Sequence, residues 1–209
     1  MSEIVITEKI ARRVIEIVDA GLVKGVGNPK MGEMCVEAAV CFALDLPHGD
    51  DPACVSRALR ALKIRLNDSS WSSDAARAKG LRRLAVAQLG SRDTLDDNDF
   101  RKRVAVLAIK NCVPIALRAA ASIHKDPAHV QALRDAANHC ESEGTRQSAL
   151  DARKVAQKAR DAYADAYADA YAAAKKARDK VLGDFAEGVV QILIEMKAPG
   201  YQWLPLTEG

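Results

Sequence analysis

Apolar residues recur at the three-and-four spacing of a helix through most of this chain, and no stretch shows the strict alternation of a half-buried strand or a hairpin signal. Thr7 reads as an N-cap. Ile10, Val14, Ile17 and Val18 then mark one face of a first helix, ended by Gly21 or Gly25. A glycine-rich loop, Gly21 to Gly32, opens onto a second helix predicted over Glu33 to Leu44. Met34, Cys35, Val36, Val40, Cys41, Phe42 and Leu44 make that helix apolar almost all round, which predicts that it lies innermost with the other helices wrapped about it.

Leu46 to Asp50 reads as a turn. Asp51 followed by Pro52 has the cap-then-proline pattern that predicts the start of a third helix, with Val55, Leu59, Leu62 and Leu66 facing inward. Asn67 to Ser70 breaks it. Trp71 stands just before a cap at Ser72 or Ser73 and is placed to staple a fourth helix, whose inward residues are Leu81, Leu84, Ala85 and Leu89 and whose stop is Gly90. A fifth helix starts near Leu95 to Asn98 and runs to about His124, with Phe100, Val104, Leu107, Ile115 and Ile123 as its stripe and Asn111 on the same face. Pro114 inside it predicts a kink. Asp126-Pro127 starts a sixth helix with Val130, Leu133, Ala137 and Cys140 inward, ended by Gly144.

From Thr145 to Met196 the strongest helix formers dominate, and the unit Asp-Ala-Tyr-Ala repeats through Asp161, Tyr163, Asp165, Tyr167, Asp169 and Tyr171. Four residues advance a helix by about 400°, so the tyrosines form a slowly turning ladder and the aspartates a second, roughly opposite one. A straight helix of that length spans about 78 Å, against a radius of gyration of about 17 Å for a compact domain of this size. It must therefore break, project or meet a partner chain. Gly183 and Gly188 predict a break. Val189, Ile192, Leu193 and Met196 predict a short last helix, and the segment from Tyr201 to Leu204 a tail that tucks back. The expected architecture is all-α: an irregular bundle of about seven or eight helices, with 1–144 as a helical core and 145–209 as the long Ala/Tyr-rich helix and C-terminal helix packed on it.

Composition adjusts this picture in few places. A chain of 209 residues that is 49% hydrophobic can build a substantial core. No apolar run approaches a membrane span and the first residues mix charges early, so a cytoplasmic protein without membrane contact is expected. The net charge of +3, with acids and bases interspersed, does not suit a nucleic-acid coat. The five cysteines lack CxxC spacing and lie on apolar faces, where buried, reduced thiols are expected.

Three places carry candidate chemistry. In the glycine loop, Gly25, Gly27 and Asn28 let backbone N–H groups approach a ligand at a helix start. Lys24 and Lys30, with Arg57 and Arg60 alongside, add positive charge suited to a phosphate-bearing small molecule such as a nucleotide. The spacing matches neither a Walker loop nor a dinucleotide fingerprint, and Glu33 would repel an anion. The competing reading is an interhelical linker with capping glycines. The second place groups Glu33, Glu37, His48, Asp50 and Asp51. There two carboxylates one turn apart suggest metal or acid/base work, while the competing reading pairs Glu37 with Lys63 or Arg65 and leaves His48 on the surface. The third is the ladder Tyr163, Tyr167 and Tyr171, read as a packing or homo-oligomer face in preference to a base-stacking surface, because its aspartates repel phosphates. No cofactor and no resident metal are expected.

The run from Gly32 to Trp71, GEMCVEAAVCFALDLPHGDDPACVSRALRALKIRLNDSSW, resembles a family of uncharacterised proteins from bacteriophages and their hosts, which also carry alanine- and tyrosine-rich helices late in the chain. The run from Phe100 onward, FRKRVAVLAIKNCVPIALRAAASIHKDPAHVQALRDAANHCE, is similar in layout to a helical family of toxin-immunity proteins. Together these resemblances imply a mobile-element or conflict-related accessory protein. The leading expectation is a non-catalytic, anti-defence protein that sequesters a nucleotide-like signal. The alternatives are an immunity-like or host-factor inhibitor that uses the tyrosine-bearing helix, and a metal-dependent hydrolase built on Glu33, Glu37 and His48.

Overall fold

The computed structural model describes residues 4–162 and 167–208, with the side chains of 167–177 outside that description. Among the described residues the chain forms α-helices α1 (Glu8–Asp19), α2 (Val36–Ala43), α3 (Arg57–Asn67), α4 (Asp74–Ala87), α5 (Asp97–Leu107), α6 (Val113–Ile123), α7 (Pro127–Glu143), α8 (Arg146–Asp161) and α9 (Tyr167–Glu195). A 3₁₀ tail spans Pro199–Thr207, and there is no strand among the described residues. The all-α expectation is met; the described residues hold slightly more helices than the seven or eight expected, with α5 and α6 distinct, and the stretch from Thr145 carries α8 and α9 on either side of residues 163–166, which lie outside the described residues. The chain falls into two compact units, residues 1–101 with 182–209 and residues 102–181. The boundary expected after residue 144 is the turn between α7 and α8, inside the second unit.

In the first unit α2 is the innermost element. Every residue of α2 except Phe42 is buried, and α1, α3 and α4 all pack on it. The reason is legible in its side chains: Val36 and Val40 bring apolar area, and Ala38, Ala39 and Ala43 let neighbouring helices come close. Around it Ile17, Leu22, Leu59, Leu81, Leu84 and Leu89 are fully buried, each contributing about 1.5–3 kcal/mol of transfer free energy. Thr7 caps α1 through its hydroxyl, which accepts from the Ile10 N–H. The 3₁₀ tail packs on α4 and α1.

Three sequence expectations for this unit need correction. The third helix is capped by Ser56, whose hydroxyl accepts from the Leu59 N–H at 3.2 Å; Asp51-Pro52 instead opens a turn in which the Val55 N–H donates to the Pro52 carbonyl. A cap followed by proline is equally good chemistry for a turn, and the serine nearer the apolar stripe supplies the helix start. Glu33 precedes α2, because Cys35 is the N-cap and its Sγ accepts from the Ala38 N–H. Gly183 and Gly188 do not break α9, which runs through both. Trp71 is buried, and its indole N–H donates to the Leu66 carbonyl at 2.9 Å. Its ring lies against Gly80, where any Cβ would collide with it.

The second unit is an alanine-rich bundle in which α6 packs on α7 and α7 on α8, around Leu117, Ala121, Leu133, Ala137, Cys140, Ala152 and Ala159. Pro114 is accommodated by a π-helical turn, Ala108–Cys112. The wider turn shifts the helical register by one residue. It thereby turns Leu117 and Ala121 inward and leaves Asn111 and Ile115 exposed, contrary to the expected stripe. The helical run Asp97–Ile123 is long and apolar enough, by length and composition alone, to cross a membrane, and 17% of its apolar window is buried. The expectation that no apolar run reaches such a length is corrected there: charges cluster before residue 104, and from 104 to 123 only Lys110 and Arg118 remain. Buried core helices satisfy the same two criteria. Asp126 caps α7, and Gly144 ends it in the left-handed conformation, both as expected. Thr145 and Ser148 form a capping box on α8. The ladder residues Tyr163, Tyr167 and Tyr171 lie outside the described side chains.

Two glycines in helices separate packing from propensity. Gly80→Ala is expected to lower stability by about 1–3 kcal/mol through the clash with Trp71. Gly183→Ala, where an added Cβ meets nothing within 4 Å, is expected to raise it by about 0.5–1 kcal/mol. Urea unfolding of the two variants checks both signs.

Candidate functional site in the first unit

The loop before α2 folds back on itself. The Val23 N–H donates to the Met34 carbonyl at 3.0 Å, the Asn28 N–H to the Glu33 carbonyl at 2.7 Å and the Cys35 N–H to the Val26 carbonyl at 3.2 Å, while Gly27 and Met34 form an antiparallel bridge. Gly27 has φ +71°, and a Cβ there would collide with the Glu33 carbonyl, so glycine is required for the loop to close. His48 bonds the Gly27 carbonyl through Nε2 at 3.0 Å.

Asn67, at the last turn of α3, ties this loop to the core. Its Oδ1 accepts from the Val36 N–H at 3.3 Å. Its Nδ2 donates to the Val23 carbonyl and to Asp68 Oδ1, both at 3.0 Å. The same Asp68 oxygen accepts from the Gly25 N–H at 2.8 Å. The N–H groups of Val23, Gly25, Asn28, Lys30, Cys35 and Val36 are therefore engaged by the protein itself.

The expected cations are distributed unevenly. Lys30 is paired with Glu33 at 2.5 Å, which raises the Lys30 ammonium and lowers the Glu33 carboxyl from their ordinary values. Arg60 donates to the Asp50 carbonyl at 2.5 Å and to Asp50 Oδ1 at 2.6 Å, holding the 45–51 turn on α3. Lys24 and Arg57 are exposed and carry no ion pair among the described residues. Lys30 and Arg60 thus meet carboxylates instead of converging on the loop.

Beneath the loop lies the most unusual feature of the unit. Glu37 of α2 and Lys63 of α3 are both completely buried, with Nζ 3.6 Å from Oε1. Neither Glu37 oxygen nor the Lys63 nitrogen has a hydrogen-bond partner among the described residues. Burial pushes the Glu37 carboxyl up to about 7 against the opposing pull of Lys63, and pushes the Lys63 ammonium down against the pull of Glu37. The pair surrounds itself with sulfur: burial raises the Cys35 and Cys54 thiols and pushes Cys41 up to about 12, so these are protonated core thiols and poor nucleophiles.

Glu37 also lines a small half-open cavity of about 50 Å³ between α2 and α3. Val26, Val36 and Ile64 supply apolar lining, and Gly25, Asp50, Asn67 and Asp68 the polar part. Glu33, Glu37 and His48 do not meet: Glu33 faces Lys30, His48 faces the loop backbone and Glu37 faces Lys63. Among the described residues no group of three or more His, Cys, Asp or Glu side chains is placed to hold a metal ion. Sequence reasoning found Glu37 and named Lys63 as a partner. It missed Asn67 and Asp68, which carry the ordinary signature of a helix end. Compared with protein-family models, with curated proteins and with solved structures, the chain matches none.

The pair predicts an asymmetric response to substitution. A raised carboxyl contributes stability that is fully present below its unfolded value of 4.5 and is lost as the pH rises through about 7. Lys63→Met removes the counter-charge. It is expected to lower unfolding free energy by about 3–5 kcal/mol at pH 8, and by clearly less at pH 5, where Glu37 keeps its proton. Adding Glu37→Gln should restore most of the loss at pH 8. Denaturant unfolding at the two pH values reads all three outcomes. Thiol labelling gives a separate check: Cys35, Cys41 and Cys54 should react with a disulfide reagent at neutral pH only at the rate of unfolding, and at once in denaturant.

Proposed function

We propose that the chain is a non-catalytic accessory protein that binds a small polar molecule in the cavity between α2 and α3. The observation that carries the reading is Glu37, a fully buried residue in the lining of a half-open cavity, whose two oxygens have no hydrogen-bond partner among the described residues. Buried polar groups are nearly always satisfied, so a residue left in this condition beside a cavity marks a place where a further group belongs. The absence of a converging nucleophile, base and metal set among the described residues favours binding over chemistry.

A phosphate-bearing ligand, such as a nucleotide signal sequestered by a mobile element, is the second reading. Lys24 and Arg57 favour it, being exposed and without an ion pair among the described residues. The pairing of Lys30 with Glu33 and of Arg60 with Asp50 weighs against it, as do the engaged backbone donors of the loop.

Heteronuclear NMR of the labelled chain tests both. A panel of small cationic, neutral and anionic probes should include at least one that moves the amides of Gly25, Val26, Asn67 and Asp68 saturably, with the effect lost in Glu37→Gln. If no probe moves them, the proposal fails. The second reading requires that ATP be the probe that binds and that Lys24→Ala with Arg57→Ala weaken it.

A further inference from the structure

We infer that the outward face of α8 docks on double-stranded DNA, with the helix along the major groove and its cations on the phosphates of both rims. This face belongs to the second unit and is independent of the cavity in the first.

Charge distribution comes first. Residues 102–181 hold 15 lysines and arginines against 9 aspartates and glutamates, and the rest of the chain holds 16 against 19. The net charge of +3 is therefore +6 on the second unit and −3 on the first. Such asymmetry between parts of a chain is a mark of nucleic-acid contact. The total conceals it, which is why the sequence as a whole did not suggest this partner. Within the unit the excess sits on α8, which carries five cations against Asp151 and Asp161. Its neighbour α7 has the opposite balance, Arg134 against Asp135, Glu141 and Glu143.

Helix geometry then arranges the five cations. Arg146, Arg153 and Arg160 share a seven-residue spacing, which is two turns and about 10.5 Å, so they form one row. Lys154 and Lys158 form a second row, turned from the first by roughly 120°. All five are exposed, as are Gln157 and Leu150 between the rows. The other side of the helix, with Ser148, Ala152 and Ala159, is buried. Of the two acids, Asp151 is half-buried and held by Gln147 and Lys154, and Asp161 pairs with Arg160 at 3.3 Å. Arg146, Arg153 and Lys158 carry no ion pair among the described residues. Stability does not ask for this pattern: Lys154 and Lys158 are like charges one turn apart, which weakens a helix.

The shape and chemistry of the face select the partner. At 16 residues the helix is about 24 Å long and about 10–12 Å across. The major groove of B-form DNA is about 12 Å wide, admits such a helix and places phosphates on both rims, whereas the major groove of A-form RNA is too narrow. Single strands stack on aromatic side chains, and α8 has none. Protein interfaces are anchored by buried aromatic and aliphatic groups, and the exposed face of α8 offers only Leu150.

The experiment is fluorescence anisotropy of the full chain with a labelled DNA duplex of about 20 base pairs, two helical turns. Binding should be measurable at about 50 mM salt, and log K should fall against log salt with a slope of about −2.7 to −4.5, the value for three to five phosphate contacts. The triple variant Arg146→Gln, Arg153→Gln and Arg160→Gln should flatten the slope by about 2.7 or bind too weakly to measure, and Lys158→Gln alone should flatten it by about 0.9. These substitutions lie on an exposed face and leave the core intact. Arg12→Gln, on the first unit, should change neither slope nor affinity. An RNA duplex and poly-glutamate are the rival partners. No binding to the DNA duplex, binding that the triple variant leaves unchanged, or tighter binding of RNA or poly-glutamate would overturn the inference.

Discussion

A charged pair carried on the innermost helix sets the conditions for everything around it. Taking a carboxylate and an ammonium out of water costs several kcal/mol for each, and only their mutual attraction offsets that cost. Glu37 therefore fixes where Lys63 must stand, and with it the placement of α3 against α2. The geometry is incomplete: the two groups attract at 3.6 Å but do not form a hydrogen bond. An apolar pair of similar volume would hold these helices at least as well.

The surrounding elements follow from the same constraint. Asn67 closes the α3 end over the loop and donates or accepts at three different places, while Gly27 permits the loop to lie flat against Glu33. Arg60 draws the 45–51 turn onto α3. The result is an opening framed by carboxylates, in a region whose sequence shows lysines and glycines most conspicuously. Cys35, Cys41 and Cys54 belong to the same core and take their inertness from its dryness.

The sequence disclosed the fold wherever a single physical signal dominated. The central position of α2 follows from an apolar surface with no polar face, and the ends of α7 follow from Asp126 and Gly144. It misled where two structures share one signal. Asp51-Pro52 serves a turn as well as a helix start, and Ser56 supplied the cap. Pro114 announced a distortion but not its kind, and only the extra residue of a π-turn explains why Leu117 is buried while Ile115 is exposed. Of the site, Glu37 was legible because a carboxylate interrupts an apolar helix. The alternative pairing with Lys63 was legible because lysine is the natural answer to such an interruption. Asn67 and Asp68 were not, because their roles depend on a loop more than thirty residues away in sequence folding back to meet them.

The most direct measurement of the central claim is the ionisation of Glu37 in the folded chain. Carbon-13 NMR of its side-chain carboxyl, followed across the neutral range, should show a midpoint near 7, moving when Lys63 is replaced. A midpoint at the ordinary value of 4.5, unmoved by that replacement, would place Glu37 in water and contradict both the buried pair and the cavity built on it.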